Sequence, residues 1–412
     1  MKPFTYLPLL PLVPALGALI PADVADRGRS LGETLLSGLH DGPSIIDDAL
    51  DSDFAHGLGQ NLDAALDLLD DNDDNEPTLT IYQLVSECPE TTKFATLLNK
   101  HDDLVKLLNS TDADHTLFVP TDEAFEHLPF HDRPSDEWIR DALEYHIATD
   151  ARTAHDLARS KTVPTLLKED WLGDRPQRLR VSLSLKGLHI NFLSRVVKPN
   201  TRATNGVIHA VNRVFLTPTM VGRELSLLPN VFSTLLLAYD KTDFVKFIHH
   251  ILMEGSTVFA PTNRAFERLG PAANAFLFNT DKGKVILKAL LKYQIVANVT
   301  LYSDEVYGST AEASGQKHLH YDLVTLLHEK HVSVDVDSYG PFVSLKVNGK
   351  APVVVRDVVA KNGVIQVMGK VPLPPHKHHG DDDGEEVSVE SLVESLWDYV
   401  DEEDRMGWSD EL

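Results

Sequence analysis

The sequence predicts an α+β chain made of two tandem copies of one domain, each with helices first and strands later. Two observations carry this. Distinctive segments recur in the same order, about 140 residues apart. Within each copy, apolar residues recur first at helical spacing and later alternate as in strands, the order expected of an α+β domain.

The chain opens with Lys2, a nearly unbroken apolar run from Phe4 to Ile20, and small residues at Ala15, Gly17, Ala18 and Ala22. A positive start, an apolar middle and a small-residue cleavage region read as a secretory signal peptide over 1–20. Prolines at 8, 11 and 14 break the run, which makes it a poor membrane span. Residues 21–77 form an acidic extension. In it Leu58, Leu62, Ala65, Leu66 and Leu69 line one helical face. Asp70, Asn72 and Asp74 imitate the start of a calcium loop. Asn75 replaces its glycine and Ile81 its closing glutamate, so the stretch reads as a solvated linker.

The first domain spans 78–218. Phe94, Leu97, Leu98, Leu104, Val105 and Leu108 recur at helical spacing. Thr116 to Leu128 (TLFVPTDEAFEHL) then gives a strand, a proline stop and a helix for which Thr121 suits the cap. Leu143 to Ile147 ends a further helix. Arg202 to Pro218 (RATNGVIHAVNRVFLTP) places an Asn-Gly turn before a strand. The second domain spans 226–375 and repeats each part. Phe232, Leu235, Leu236, Phe244, Phe247 and Ile248 are helically spaced. Thr257 to Leu269 (TVFAPTNRAFERL) matches the first motif at eight of thirteen positions, with Thr262 as its cap residue. Val359 to Pro375 (VAKNGVIQVMGKVPLPP) matches the last motif at eight of seventeen positions. Val332 to Val336 and Val343 to Val347 alternate as a hairpin. The offset between copies grows from 141 to 157, so the second copy is 16 residues longer over that span.

FVPTDEAF with the downstream ATNGVIHAVNRV resembles the two signature segments of fasciclin domains, and Tyr145-His146 resembles the tyrosine–histidine motif between them. The resemblance covers both copies. It implies two tandem fasciclin-like domains, each a β-wedge packed with a helical layer, and a role in adhesion, matrix contact or surface interaction. It also makes Tyr145 and His146 a candidate interaction motif. A tyrosine and a histidine on an apolar helix more often simply hydrogen-bond and hold the domain together, and that structural role is the preferred reading of the pair. The second copy carries Tyr293-Gln294, so an equivalent contact there is in doubt.

The tail, 376–412, is acidic, with a histidine tract, a charge run and a short amphipathic helix through Val389, Leu392, Val393, Leu396, Trp397 and Val400. The helix is expected to pack against its own domain. The chain ends Ser409-Asp410-Glu411-Leu412, a candidate retrieval signal of the KDEL type. Asn109 and Asn298 head N-glycosylation sequons and should be exposed. The formal net charge is −24, much of it at the two ends. That charge argues against nucleic acid or an anionic membrane surface as a partner. Cys88 is the single cysteine, so no internal disulfide forms, and it reads as a small buried hydrophobe.

No catalytic, cofactor or metal constellation emerges. There is no nucleophile elbow, phosphate loop or dinucleotide fingerprint. His328-Glu329-Lys330-His331 has zinc-protease residues at the wrong spacing. His249-His250 point apart on a helix. His318 and His320 share a strand face and read as surface polar residues. The expectation is therefore a non-enzymatic cell-adhesion or matrix and surface interaction protein of the secretory pathway. Its partner would be a protein or glycan of matrix, wall or cell surface. It would be extracellular or at the cell surface, with vacuole or endoplasmic reticulum lumen as other destinations. The alternatives are a soluble binder of a small apolar or carbohydrate ligand, and an endoplasmic-reticulum luminal factor.

Overall fold

The computed structural model describes residues 76–112, 114–128, 134–184, 187–308, 318–327, 330–339, 342–375 and 387–400. The leader, the calcium-like segment, the histidine tract, His328-Glu329 and Ser409–Leu412 lie outside them.

The first domain starts with three short helices, α1 (Ile81–Glu87), α2 (Thr92–Leu98) and α3 (Asp102–Asn109). Thr80 and Gln83 form a capping box at the start of α1. There follow β1 (His115–Pro120), a 3-10 turn (Asp122–His127), α4 (Asp136–Tyr145), β2 (Ile147–Ala148) and α5 (Ala154–Arg159). The rest is strand: β3 (Thr162–Glu169), β4 (Arg175–Ser184), β5 (Gly187–Ile190), β6 (Ser194–Ala203) and β7 (Gly206–Val211). These seven strands close into a barrel in chain order. β1 and β7 run parallel, with Thr116 opposite Val207. Every residue of β1 is buried. Its alternation divides two cores: Phe118 enters the barrel beside Tyr145, Leu179 and Val211, while Leu117 and Val119 face Ile81, Phe94 and Leu143 beneath the helices. Each such side chain contributes roughly 2 kcal/mol on burial, so a strand covered on both faces belongs at the centre.

The second domain repeats this plan with α6 (Val221–Ser226), α7 (Pro229–Lys241), α8 (Phe244–His249), β8 (Ser256–Pro261), α9 (Asn263–Glu267), α10 (Pro271–Asn279) and α11 (Asp281–Tyr293). Its strands are β9 (Ile295–Ala297), β10 (Val299–Leu301), β11 (Val306–Gly308), β12 (His318–Val324), β13 (His331–Tyr339), β14 (Phe342–Val347), β15 (Ala351–Ala360) and β16 (Gly363–Met368). Seven of them form one sheet in the order β12-β13-β14-β15-β16-β8-β9, and a bridge between Val296 and Thr325 joins its ends. β10 and β11 pair separately. The Asn-Gly turns are needed in both copies. Gly206 has φ 141° and a Cβ there would lie 1.9 Å from the His115 carbonyl oxygen; at Gly363, φ 153°, it would lie 2.1 Å from that of Ser256.

The structure bears on three expectations. The second domain begins before residue 226. The Val221 N–H donates to Asn362 Oδ1 at 2.9 Å, as the Ile81 N–H donates to Asn205 Oδ1 at 2.8 Å, so α6 is the counterpart of α1. The tail helix packs on its own domain as expected: α12 (Val389–Leu396) buries Leu392 and Leu396 in the second core, followed by Val400. Cys88 caps α1 and is half-buried rather than buried.

Candidate interaction site

Ser135 caps α4 by accepting the Trp138 N–H, and the helix presses Ile139, Ala142, Leu143 and Tyr145 inward. Tyr145 and His146 therefore arrive at its buried end, 0% and 1% exposed. The Tyr145 hydroxyl donates to the Arg178 carbonyl (3.0 Å) and accepts from Asn191 Nδ2 (2.8 Å). His146 Nε2 accepts the Phe215 N–H at 2.9 Å, so Nδ1 carries the proton and donates to the Ala142 carbonyl at 2.6 Å. The ring stacks on Phe215 at 4.5 Å. Burial holds the imidazole neutral, with its pKa lowered to about 4. A partner cannot touch either side chain without opening the domain. The pair is a brace between α4, β4 and the segment after β7.

The brace is repeated with one change. Tyr293 donates to the His331 carbonyl (3.1 Å) and accepts from Asn348 Nδ2 (2.8 Å). Asn191 and Asn348 both adopt left-handed backbone, φ 48° and 52°, which brings each amide back over its tyrosine. Gln294 stands where His146 does, however, and both its amide atoms are buried without a partner. The position equivalent to Phe215 is Pro372, which has no N–H to offer.

A second brace also appears twice. Thr116 Oγ1 donates to the Asp150 carbonyl and accepts the Arg152 N–H, both at 2.7 Å. Thr257 Oγ1 does the same with Val299 and Leu301, both at 2.8 Å. In the first domain, His209 Nε2 donates to the Arg152 carbonyl at 2.9 Å and Nδ1 accepts the Asn200 N–H at 3.3 Å. Gln366 copies this on the Leu301 carbonyl (2.9 Å) and the Asp357 N–H (3.1 Å). Asn200 Oδ1 then accepts the Ala154 N–H at 2.7 Å and starts α5, whereas Asp357 Oδ1 accepts the Ser303 N–H at 2.8 Å. Asp357 Oδ2 also accepts from Ser303 Oγ.

That last contact fixes a loop that grips the other domain. Asp304 accepts the Thr162 N–H (2.8 Å), the Lys161 N–H (3.2 Å) and Thr162 Oγ1 (2.5 Å). Arg178 donates to Thr162 Oγ1 at 2.5 Å and to the Tyr307 hydroxyl at 3.2 Å. Its guanidinium lies 5.6 Å from the Tyr302 ring centre. Lys361 reaches Glu169 at 3.5 Å. Burial, with Arg356 adding repulsion, holds the Lys161 ammonium down to about 8. The junction is thus polar, with the buried Tyr302 hydroxyl left without a hydrogen-bond partner among the described residues, and none of it stood out in the sequence. The aligned pair Asn200 and Asp357, 157 residues apart, was the signal available.

The remaining sequence candidates stay apart. Asn109 and Asn298 are both exposed, in separate domains. His318 and His320 lie on the outer face of β12, hydrogen-bonded to Asp337 and Asp335 across the strand pair, each at 2.6 Å. Among the described residues, no group of three or more His, Cys, Asp or Glu is placed to hold a metal ion. Among them, too, no helix is long and apolar enough to cross a membrane.

Comparison with known proteins agrees with this duplicated architecture. The model of the Fasciclin domain matches residues 89–217 and 230–374. The chain is 29% identical over 363 residues to the aurofusarin biosynthesis cluster protein S of Gibberella zeae, covering 80% of this chain and 88% of that one. It is 26% identical over 291 residues to human periostin, covering 68% of this chain and 31% of periostin. Among solved structures it is similar to a FAS1 domain pair from the insect cell adhesion molecule Fasciclin I, with TM-score 0.34, 18% identity and coverage of 68% of this chain and 96% of that one.

Proposed function

Because the chain belongs to the fasciclin domain family, we propose that it is a non-enzymatic protein of adhesion or matrix contact, acting outside the cell or at its surface through its folded exterior. The observation that carries this reading is the duplicated fasciclin domain itself. Its repeated tyrosines, threonines and left-handed asparagines serve as braces, which supports recognition by the outer surface rather than by the motif. The filled barrel, with Phe118, Tyr145, Leu179 and Val181 fully or almost fully buried, weighs against the small-ligand alternative. Cleavage of the leader, glycans at Asn109 and Asn298, and retention through Ser409–Leu412 belong to the same proposal.

The test is adhesion of purified full-length protein to immobilised wall or matrix fractions and to intact cells, with localisation of the chain with and without its last four residues. Saturable binding supports the reading. No binding to any surface, with or without glycans, removes it.

A second reading rests on the relative that matches over 88% of its own length and is described by a biosynthetic cluster. In that reading the chain is an accessory to enzymes that make a small molecule. Co-purification of such enzymes with the tagged chain, alongside failed adhesion, would favour it.

A further inference from the structure

The formal charge of −24 belongs entirely to the two ends. Residues 1–77 carry 15 Asp or Glu against 3 Lys or Arg, and residues 376–412 carry 14 against 2. The two-domain body between them holds 33 of each. Inside that body the charge is segregated again. Residues 78–174 carry 19 acidic and 9 basic residues, whereas residues 175–223 carry 9 basic residues and no acidic one. Eight of these nine lie in strands β4 to β7 of the first domain and the segments that join and follow them, and the ninth, Arg223, lies in α6.

Arg178 and Arg180 of that stretch are buried at the domain junction. Arg195, Lys198 and Arg202 are all exposed along the single strand β6, with Arg213 half-buried just past β7. β5 pairs with β6 only through Ser194 and Arg195, so the remainder of β6 has no strand partner on that side among the described residues. Register shifts against β7, between Val196 and Lys198 and again between Lys198 and Thr201, leave both Val197 and Lys198 turned to solvent. At about 3.3 Å per residue, the three exposed cations are spaced by roughly 10 and 13 Å.

No carboxylate of the described residues lies within 4.0 Å of any of these four cationic groups, whereas Arg140 and Arg152 on the acidic half pair with Asp103 and Asp150. A row of unneutralised cations raises the local positive potential and draws anions to it. The row offers repeated charge and, apart from Val197, no exposed apolar anchor. Its fitting partner is a chain of repeating negative charge, not a peptide held by side-chain pockets.

We infer that β6 of the first domain is the docking strand for a linear acidic polysaccharide, carboxylated or sulfated. The inference rests on the surface-contact reading and names the partner's chemistry.

The experiment measures binding of the full-length protein to immobilised polygalacturonate and to immobilised heparin, at low and raised salt. Those two probes separate the carboxylated source from the sulfated one. The parent should bind at least one of them and release it as salt rises. The triple variant Arg195→Ala, Lys198→Ala, Arg202→Ala should bind about a hundredfold more weakly, since each basic residue at an anionic surface is worth on the order of fivefold. A control triple at exposed lysines of the second domain, Lys241→Ala, Lys350→Ala, Lys370→Ala, should bind like the parent. The single reversal Lys198→Glu gives the same direction of change should the triple variant misfold. Unchanged binding in the variants overturns the assignment. So does competition by polyglutamate as effective as by the polysaccharide, which would point to an acidic protein. A parent that adheres to matrix but binds neither polysaccharide loses this inference and keeps the adhesion reading. One that binds polysaccharide but adheres to no surface does the reverse.

Discussion

The first domain braces its core with two neutral histidines, His146 and His209, where the second uses glutamines, Gln294 and Gln366. The two exchanges have different consequences. At His209 the glutamine reproduces both hydrogen bonds and, through Asp357, fixes the loop that presents Asp304 to the first domain. The network that opens helix α5 in one copy therefore opens the inter-domain clamp in the other. At His146 the glutamine reproduces nothing, because the N–H it would accept has been replaced by Pro372. Duplication kept the strand-to-strand geometry and released the polar chemistry that does not set it.

The largest consequence is acid sensitivity confined to one domain. Burial lowers both His146 and His209 from 6.5 to about 4. Between those values the unfolded chain binds more protons than the folded one. Stability is therefore fully present above about 6.5 and is lost as pH falls toward 4. By pH 5 the loss is about 2 kcal/mol per histidine. Hydrogen exchange at pH 7 and pH 5, corrected for intrinsic rates, should show protection falling in β1, α4 and β7 but not in β8, α11 and β16. In the second domain, a hydrogen bond to Asp335 raises the half-buried His320, with burial opposing it. Its small contribution has the opposite sign: it is present below 6.5 and lost as pH rises through the raised value. Parallel loss of protection in both domains would break the comparison.

A sharper test substitutes the same residue at equivalent places. His146→Leu orphans the buried Phe215 N–H and leaves the Ala142 carbonyl only its backbone bond from the N–H of residue 146, and should cost roughly 2–3 kcal/mol. Gln294→Leu removes two amide atoms that already have no partner, and should be neutral or stabilising by up to about 1 kcal/mol. Denaturant midpoints of the two variants should thus move in opposite directions, or only the first should move. A comparable loss at Gln294 would mean that its amide is satisfied after all.

The sequence carried the repeat, the order of helices and strands and the Asn-Gly turns, because each is a local pattern with a local cause. Gly206 and Gly363 are readable because only glycine tolerates the backbone approach they make. The role of Tyr145-His146 was less readable, since the same two residue types serve a contact or a core. What decides between them is the closure of β4 and Phe215 over α4, which no local pattern encodes. The clamp was hidden for a similar reason. Asp304 lies in an unremarked loop and gains its meaning from Thr162, 142 residues away.

The smallest expected effect concerns the two threonines that follow the proline stops. Both suit a helix cap by residue type, yet only Thr262 caps, accepting the Ala265 N–H at 3.1 Å at the start of α9. Thr121 precedes a 3-10 turn and makes no such bond. The difference follows from what comes next. Asp122 turns its carboxylate back to the start of α2, accepting from Thr92 Oγ1 (2.6 Å) and the Lys93 N–H (2.8 Å). Asn263, its counterpart, holds α7 by accepting the Thr234 N–H at 2.8 Å while an α-helix still continues behind it. Thr262→Ala should therefore cost about 1 kcal/mol. Thr121→Ala should stay within about 0.5 kcal/mol of the parent, as surface substitutions without a structural role do. Equal losses in urea melts of the two variants would show that the first turn also relies on its threonine, and would remove this last asymmetry between the copies.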